Sequence, residues 1–203
     1  MSENIHVLAV AGSLRSGSFN KMALKAAKVI EPEGMEIEIF DLSHIPLYNE
    51  DLRAQGFPPS VATFRSKIRD ADALLFSTPE YNHSVSGVLK NAIDWASRPP
   101  NQPFNRKPVA IMGVTTGLWG TIWAQIDFRH ICVYLNMFPL NKPEVLIARA
   151  REKFDNEGNL IDEKTRDYIH ELLVDLLEWT HVVNAPSSQD EHRYLEDERL
   201  IKV

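Results

Sequence analysis

Ile5-His6-Val7-Leu8-Ala9-Val10-Ala11-Gly12-Ser13-Leu14-Arg15-Ser16-Gly17-Ser18-Phe19-Asn20 runs from an apolar stretch through a Gly/Ser turn into a helical pattern. Ile5 to Ala11 reads as a buried strand that ends at Gly12. A helix opens at Ser18 or Phe19 and carries Met22, Leu24, Ala27 and Ile30 at helical spacing until Pro32 stops it. The turn between them holds what a phosphate needs. Ser13, Ser16 and Ser18 offer hydroxyls, and Arg15 offers a guanidinium able to grip two oxygens. Gly12 and Gly17 let backbone N–H groups face inward, and the helix start adds partial positive charge.

Two commoner phosphate motifs fail here. The nucleotide-binding pattern G-x-x-x-x-G-K-[ST] finds its glycines at Gly12 and Gly17, but Ser18 stands where the lysine belongs. The dinucleotide pattern G-x-G-x-x-G fails because Leu14 holds the second glycine position. A phosphatase loop would need a cysteine at this place. What survives is a strand–loop–helix cradle for one phosphate, or a Ser-rich turn with Ser18 as cap.

Outward from this unit, strand and helix patterns alternate. Met35 to Phe40 reads as an outer strand, with Glu36 and Glu38 on a wetter face, and Asp41 to Pro59 as a long loop. A helix is expected from about Ser60 to Ala71, a buried strand from Ala73 to Thr78, and a helix from Val85 to Ser97. Then come a strand from Pro108 to Gly113, a helix from about Thr121 to Leu135, a strand from Glu144 to Ala148 and an amphipathic helix from Thr165 to Val183. Five strands, each followed by a helix or an irregular connection, predict a doubly wound α/β domain with a parallel sheet. Ligands in such sheets bind beyond the carboxyl ends of the strands. The loops after Ala11, Thr78 and Gly113 should therefore share one site.

The bulk numbers narrow the function. A chain of 203 residues suits one domain with a substantial core. With 22 basic and 28 acidic residues the formal charge is −6, which argues against nucleic acid as main partner. Cys132 is the single cysteine, so no internal disulfide forms, as suits a reducing compartment. No apolar run is long enough for a signal peptide or a membrane span, so a cytoplasmic protein is expected. The histidines lack zinc-type spacing, no metal site is expected, and no G-x-S-x-G elbow occurs. Glu80 and Asp94 lack the partner set of a hydrolytic acid–base pair.

The second loop reads Thr78-Pro79-Glu80-Tyr81-Asn82-His83-Ser84-Val85-Ser86-Gly87-Val88-Leu89-Lys90-Asn91-Ala92-Ile93-Asp94-Trp95. Together with Gly12 to Asn20 it closely resembles the NADPH-dependent FMN reductase family of flavodoxin-like proteins, whose patterns are roughly G-S-L-R-x-x-S-x-N and T-P-E-Y-N-x-S-x-P-G-x-L-K-N-A-x-D-W. The likeness extends to Ile45-Pro46-Leu47-Tyr48 and Asn141-Lys142-Pro143-Glu144, and so spans most of residues 5 to 183.

The resemblance implies a three-layer α/β/α sandwich with a five-stranded parallel sheet in the order 2-1-3-4-5. It implies bound FMN, with NADPH or NADH as co-substrate. Ser13, Arg15, Ser18 and Asn20 would bind the FMN phosphate, with Phe19 beside them in the cofactor-binding set. Pro79, Glu80, Tyr81 and Asn82 would line the isoalloxazine ring, and Thr115, Thr116 and Gly117 would close over its pyrimidine edge. No protein group is assigned a catalytic role, because the flavin carries the chemistry. Quinones, chromate, ferric complexes, azo compounds or free flavin would be the acceptors, in a ping-pong cycle, and a homodimer or homotetramer is implied. A flavodoxin-type electron carrier or a flavin-binding regulatory module is the alternative.

Four positions depart from the family pattern. His83 replaces an aromatic residue, Ser86 a proline, Thr121 the second of two adjacent glycines, and Trp123 an arginine. Trp119 and Trp123 could be core, a substrate mouth or a subunit interface. Residues 1–184 are expected to form the FMN-binding domain. The stretch 185–203 is expected to be a disordered tail or an arm that packs on another subunit through Tyr194, Leu195, Leu200 and Ile201.

Overall fold

A computed structural model describes residues 4–185. The expectation for the tail therefore falls almost wholly outside the described residues. The first unit is as read: strand β1 (Ile5–Ala11) and helix α1 (Phe19–Val29). Ser18 caps α1 from extended backbone, with φ −72° and ψ 122°. Along β1 both faces are buried, so apolar residues run without a break from Val7 to Ala11, with half-buried His6 near the start. Val7, Ala9 and Ala11 point into one core and Leu8 and Val10 into the other.

Strand β2 (Met35–Phe40) leads through a 3-10 turn (Leu42–His44) and helix α2 (Glu50–Ala54) to α3 (Pro59–Asp70) and strand β3 (Ala73–Ser77). A short hairpin, β4 (Glu80–Tyr81) and β5 (Ser84–Val85), precedes α4 (Gly87–Ala96) and β6 (Pro108–Val114). Helix α5 (Ile122–Tyr134), strands β7 (Phe138–Pro139) and β8 (Val145–Ile147), and helices α6 (Ala150–Lys153) and α7 (Glu163–Asn184) complete the order.

The parallel sheet runs β2-β1-β3-β6-β7, with β8 also paired to β6. This is the expected 2-1-3-4-5 order, with the hairpin inserted in the numbering and the fifth strand in two pieces. β7 pairs with the start of β6, at Pro108 and Val109, and β8 with its end, from Met112 to Val114. The break falls at Leu140 to Glu144, where Pro143 has no N–H to continue a ladder. The expected long loop from Asp41 to Pro59 also carries two short helical turns, each started by a side-chain cap from Asp41 or Asn49.

One core packs α1 and α7 on the sheet through Ala23, Leu24, Ala27, Ile169, Leu172, Leu173 and Leu176. The other packs α3, α4 and α5 through Phe64, Leu89, Ile93 and Phe128, with the rings of Phe76 and Phe128 4.7 Å apart. Strand order reverses between β1 and β3. The loops leaving those two strands diverge there and open a crevice at the carboxyl edge of the sheet. Among the described residues no helix is long and apolar enough to cross a membrane.

Candidate functional site

A cleft of about 150 Å³ lies at that reversal point. Ser13, Arg15, Ser18, Phe19, Asn20, Pro79, Glu80, Tyr81, Val114, Thr115 and Thr116 line it. All three expected loops thus meet. Asn82 and Gly117 are the two expected residues that do not line the cleft, and Val114 is one that sequence reading missed.

The first loop is shaped for a small anion. Ser13 and Ser18 are buried. The Ser18 hydroxyl accepts from the Lys21 N–H at 3.5 Å, a long contact, and its proton is left for a ligand. Arg15 is exposed above the Phe19 ring, 5.8 Å from its centroid. Among the described residues no carboxylate pairs with it, so its donors face the cleft uncommitted. A side chain at Gly12 would meet the Ser86 hydroxyl at 2.9 Å and Pro79 Cδ at 3.1 Å, so a glycine lets the first two loops touch. A phosphate fits this set: uncommitted hydroxyls, an unpaired guanidinium and the start of α1.

Asn20 lines the cleft and is also committed behind it. Its Oδ1 accepts from the Ser77 hydroxyl at 2.9 Å and the Val114 N–H at 3.0 Å, and its Nδ2 donates to the Val114 carbonyl at 3.0 Å. Both oxygen lone pairs are used. Asn20 is therefore a buried strut that ties α1 to the ends of β3 and β6, and it can spare one amide proton for the cleft.

The second loop is a short hairpin, and Val85, expected to open the next helix, ends its second strand. Asn82 and His83 form its two-residue tip with φ 52° and 58°, as a tight hairpin turn requires. Asn82 answers that backbone demand, and its exposed position at the tip explains why it leaves the cleft lining. Glu80 lines the cleft, and its carboxylate accepts the Trp123 N–H at 2.8 Å and the Ala124 N–H at 3.1 Å. Asp127 answers from α5, accepting the Ser84 hydroxyl and the Val85 N–H.

The third loop is pinned from behind. Thr115 N–H donates to the Ile147 carbonyl at 2.9 Å, Ala150 N–H to the Thr115 carbonyl at 3.0 Å, and Arg149 N–H to the Gly117 carbonyl at 2.9 Å. These bonds hold Gly117 toward the β8–α6 connection and away from the cleft. Deeper in, an added Cβ at Gly113 would stand 1.8 Å from Thr121 Oγ1 and 2.5 Å from the Thr78 carbonyl oxygen. Sequence reading used Gly113 only to end a strand; no local signal shows what presses on it.

A larger cavity of about 350 Å³ lies at the opposite edge of the sheet, beside Asp72, Arg106 and Lys107. Two of its charged groups are spent on backbone. Lys107 donates to the carbonyls of Arg69 and Ala71, and Asp72 accepts the His6 N–H. Burial pushes the Lys107 ammonium below its ordinary value. We place the site at the smaller cleft, at the strand ends, where uncommitted donors converge. Cys132 is buried in α5 as expected, and burial pushes its thiol up to about 12, so it is an inert core group.

Residues 5–152 match the model of the family described as NADPH-dependent FMN reductase. The chain belongs to that family. Over 179 residues it is 57% identical to the NAD(P)H-dependent FMN reductase of Pseudomonas aeruginosa, covering 88% of this chain and 97% of that protein. It is 42% identical over 172 residues to a quinone reductase of Escherichia coli, covering 83% and 92%. The structure of the flavoenzyme NAD(P)H:(acceptor) oxidoreductase of Paracoccus denitrificans superposes with a TM-score of 0.80 at 32% identity, covering 88% and 98%. The fold is flavodoxin-like, as the resemblance implies.

The four departures from the family pattern now have surroundings. Ser86 does two jobs: its hydroxyl donates to the Gly12 carbonyl at 2.6 Å and accepts the Leu89 N–H at 3.2 Å as the cap of α4. Thr121 keeps the left-handed backbone that suits glycine, with φ 67°. For a β-branched residue that conformation costs on the order of 1–3 kcal/mol. Gln125 donates to its hydroxyl at 3.3 Å, and Gly113 leaves it room. His83 and Trp123 meet each other, their ring centroids 5.6 Å apart and their planes 31° apart. Trp123 and Trp119 are exposed, which removes the core reading for both.

Proposed function

We propose that this family member is an FMN-dependent NAD(P)H oxidoreductase that passes reducing equivalents to small acceptors, quinones foremost. The observation that carries the reading is the convergence of Arg15, Ser13 and Ser18 on one side of a cleft whose other sides are the Pro79–Tyr81 hairpin and Thr115–Thr116. The Pseudomonas and Escherichia coli relatives, named as FMN and quinone reductases, support the same activity.

FMN, when bound, supplies the carrier that accepts hydride from the nicotinamide and releases electrons to an acceptor. The chain's own residues bind and orient. Arg15 and the two serine hydroxyls hold the phosphate, and Asn20 keeps the strand ends in register beneath it. The Pro79–Tyr81 wall and the Thr115–Thr116 wall confine the ring. One open cleft serving both co-substrates in turn fits a ping-pong order, with chromate, ferric complexes, azo compounds and free flavin as further acceptors. Residues 1–184 form the FMN-binding unit in this reading, acting in the cytoplasm. A homodimer, itself able to pair into a homotetramer, is the assembly that goes with this reading.

The test is spectroscopic. The purified protein should carry, or take up, one equivalent of FMN with a yellow flavin spectrum. NADPH or NADH added without oxygen should bleach it within seconds, and 1,4-naphthoquinone should restore it. A bound flavin that neither nucleotide bleaches would sink the reductase reading in favour of an electron carrier.

A further inference from the structure

The first turn of α5 lacks a cap of its own. Thr121 precedes the helix from left-handed backbone and makes no side-chain cap bond. Helix starts leave N–H groups without partners, and a buried or half-buried one must find an acceptor elsewhere. Glu80 supplies it from another element, 43 residues away, by taking the N–H groups of Trp123 and Ala124 on one carboxylate oxygen. Its negative charge also suits the positive end of the helix. In return Asp127 of α5 holds Ser84 and Val85 of the hairpin. The hairpin and the helix are clasped from both sides, and the rings of His83 and Trp123 meet between the clasps.

We propose that His83 and Trp123 form the wall that selects the electron acceptor, and that Glu80 is the positioning residue that holds Trp123 in it. The substrate class it favours is the planar, uncharged aromatic acceptor, a bicyclic quinone above all. The inference rests on the reductase reading, since it concerns the acceptor side of that same cleft. Trp123 and Tyr81 are exposed, and His83 and Trp123 stand just outside the cleft lining, beside Glu80 and Tyr81, which belong to it. A quinone ring gains offset stacking against an indole already held in place. A hydrated oxyanion gains nothing from indole, imidazole or phenol faces. Arg15, the cation in the cleft lining, belongs to the phosphate end.

The experiment compares 1,4-naphthoquinone with ferricyanide on the FMN-loaded enzyme. In a ping-pong cycle kcat/KM for an acceptor reports only its own half of the cycle, so the ratio of the two values isolates acceptor selection. Trp123→Ala should lower the naphthoquinone-to-ferricyanide ratio about fivefold, the scale of one aromatic pair, with the loss in KM rather than kcat. Trp123→Phe should keep most of it. Glu80→Ala should lower the ratio by a similar factor, while Glu80→Gln, whose amide oxygen accepts the same two N–H groups, should restore it. The double variant Glu80→Ala/Trp123→Ala should fall no further than Trp123→Ala alone.

Two readouts do not depend on turnover. Amide hydrogen exchange at Trp123 and Ala124 should quicken in Glu80→Ala and stay slow in Trp123→Phe. Equilibrium dialysis of 1,4-naphthoquinone against the oxidised enzyme, with no nicotinamide present, should show weaker binding in both alanine variants. Equal losses for quinone and ferricyanide, or additive losses in the double variant, would overturn the proposal. Should Glu80→Ala not fold, unchanged dialysis in Trp123→Ala would overturn it just as well. A protein that NADPH and NADH fail to bleach would refute the reductase reading, while dialysis and amide exchange would still judge the wall.

Discussion

Two stretches border the same cleft. Between Gly12 and Asn20 the site is built by neighbours in sequence: a strand end, two glycines, serines, an arginine and a capped helix start. Between Glu80 and Trp123 it is built by partners 43 residues apart, joined through a hairpin and a helix that have no local reason to meet. In the proposed reading the first stretch takes the phosphate that every FMN carries, and local geometry suffices for it. The second, in the same reading, faces variable acceptors, and its shape depends on how two elements dock. Such a seam can change residues such as Trp123 and Thr121 without disturbing the phosphate end.

That contrast can be broken at its hinge, Gly113. Gly113→Ala forces a Cβ into Thr121 and the Thr78 carbonyl, with backbone on one side and no free rotation to relieve it. We expect a loss of about 3 kcal/mol or more in urea unfolding, at the upper end of overpacking. A loss under about 1 kcal/mol would mean that the rim yields easily and is not locked to the sheet.

Asn20→Ala comes next and tests whether this residue is a strut or a ligand. It leaves the Ser77 hydroxyl and both Val114 backbone groups without partners in a buried place. Stability should fall by about 2–3 kcal/mol. Once folded, the variant's preference for FMN over riboflavin should stay near that of the parent. Arg15→Ala should do the reverse. Unfolding stability should barely move, while FMN affinity, followed by quenching of flavin fluorescence, should weaken by about 2 kcal/mol, or roughly 30-fold. Riboflavin, which has no phosphate, should bind both proteins alike. An unchanged FMN affinity would remove the phosphate assignment.

The smallest expected effect lies away from the cleft and serves as a reference. Asp162 caps α7 by accepting from the Thr165 N–H at 3.0 Å and from its hydroxyl, with Lys153 3.4 Å away. The hydrogen bonds from Thr165, aided by Lys153, hold its carboxyl below the ordinary carboxylate range. A lowered folded value means stability that is present above the unfolded value, about 3.9, and lost as pH falls through the lower folded one. Asp162→Ala should therefore cost about 1 kcal/mol at pH 7. The gap from the parent should narrow below about pH 4. A gap that does not change with pH would place the effect in packing and not in charge.

Much of the molecule could be read from the chain alone. The alternation of apolar runs and helical spacing marked β1, β3, β6 and the long helices, because their burial pattern repeats at the period of the element. The meeting of three loops at the strand ends followed from the same local signals. The turns at Glu50–Ala54 and Ala150–Lys153 were missed because they are too short to show a period. The hairpin was missed because Asn82-His83 lacks the glycine that usually marks such a turn.

What the sequence by itself determined was the family of folds, since apolar runs and helical spacing repeat within each element. Only the tertiary structure decided what Glu80, Asn20, Gly113 and Asn82 do. Each of the first three acts through a contact with an element distant in sequence: Glu80 as a cap, Asn20 as a strut, Gly113 as clearance for Thr121. Asn82 owes its place to a turn conformation that depends on β4 pairing with β5. Hydrogen-bond partners and steric clearances between separate elements are set when the layers dock, and no spacing along the chain encodes them.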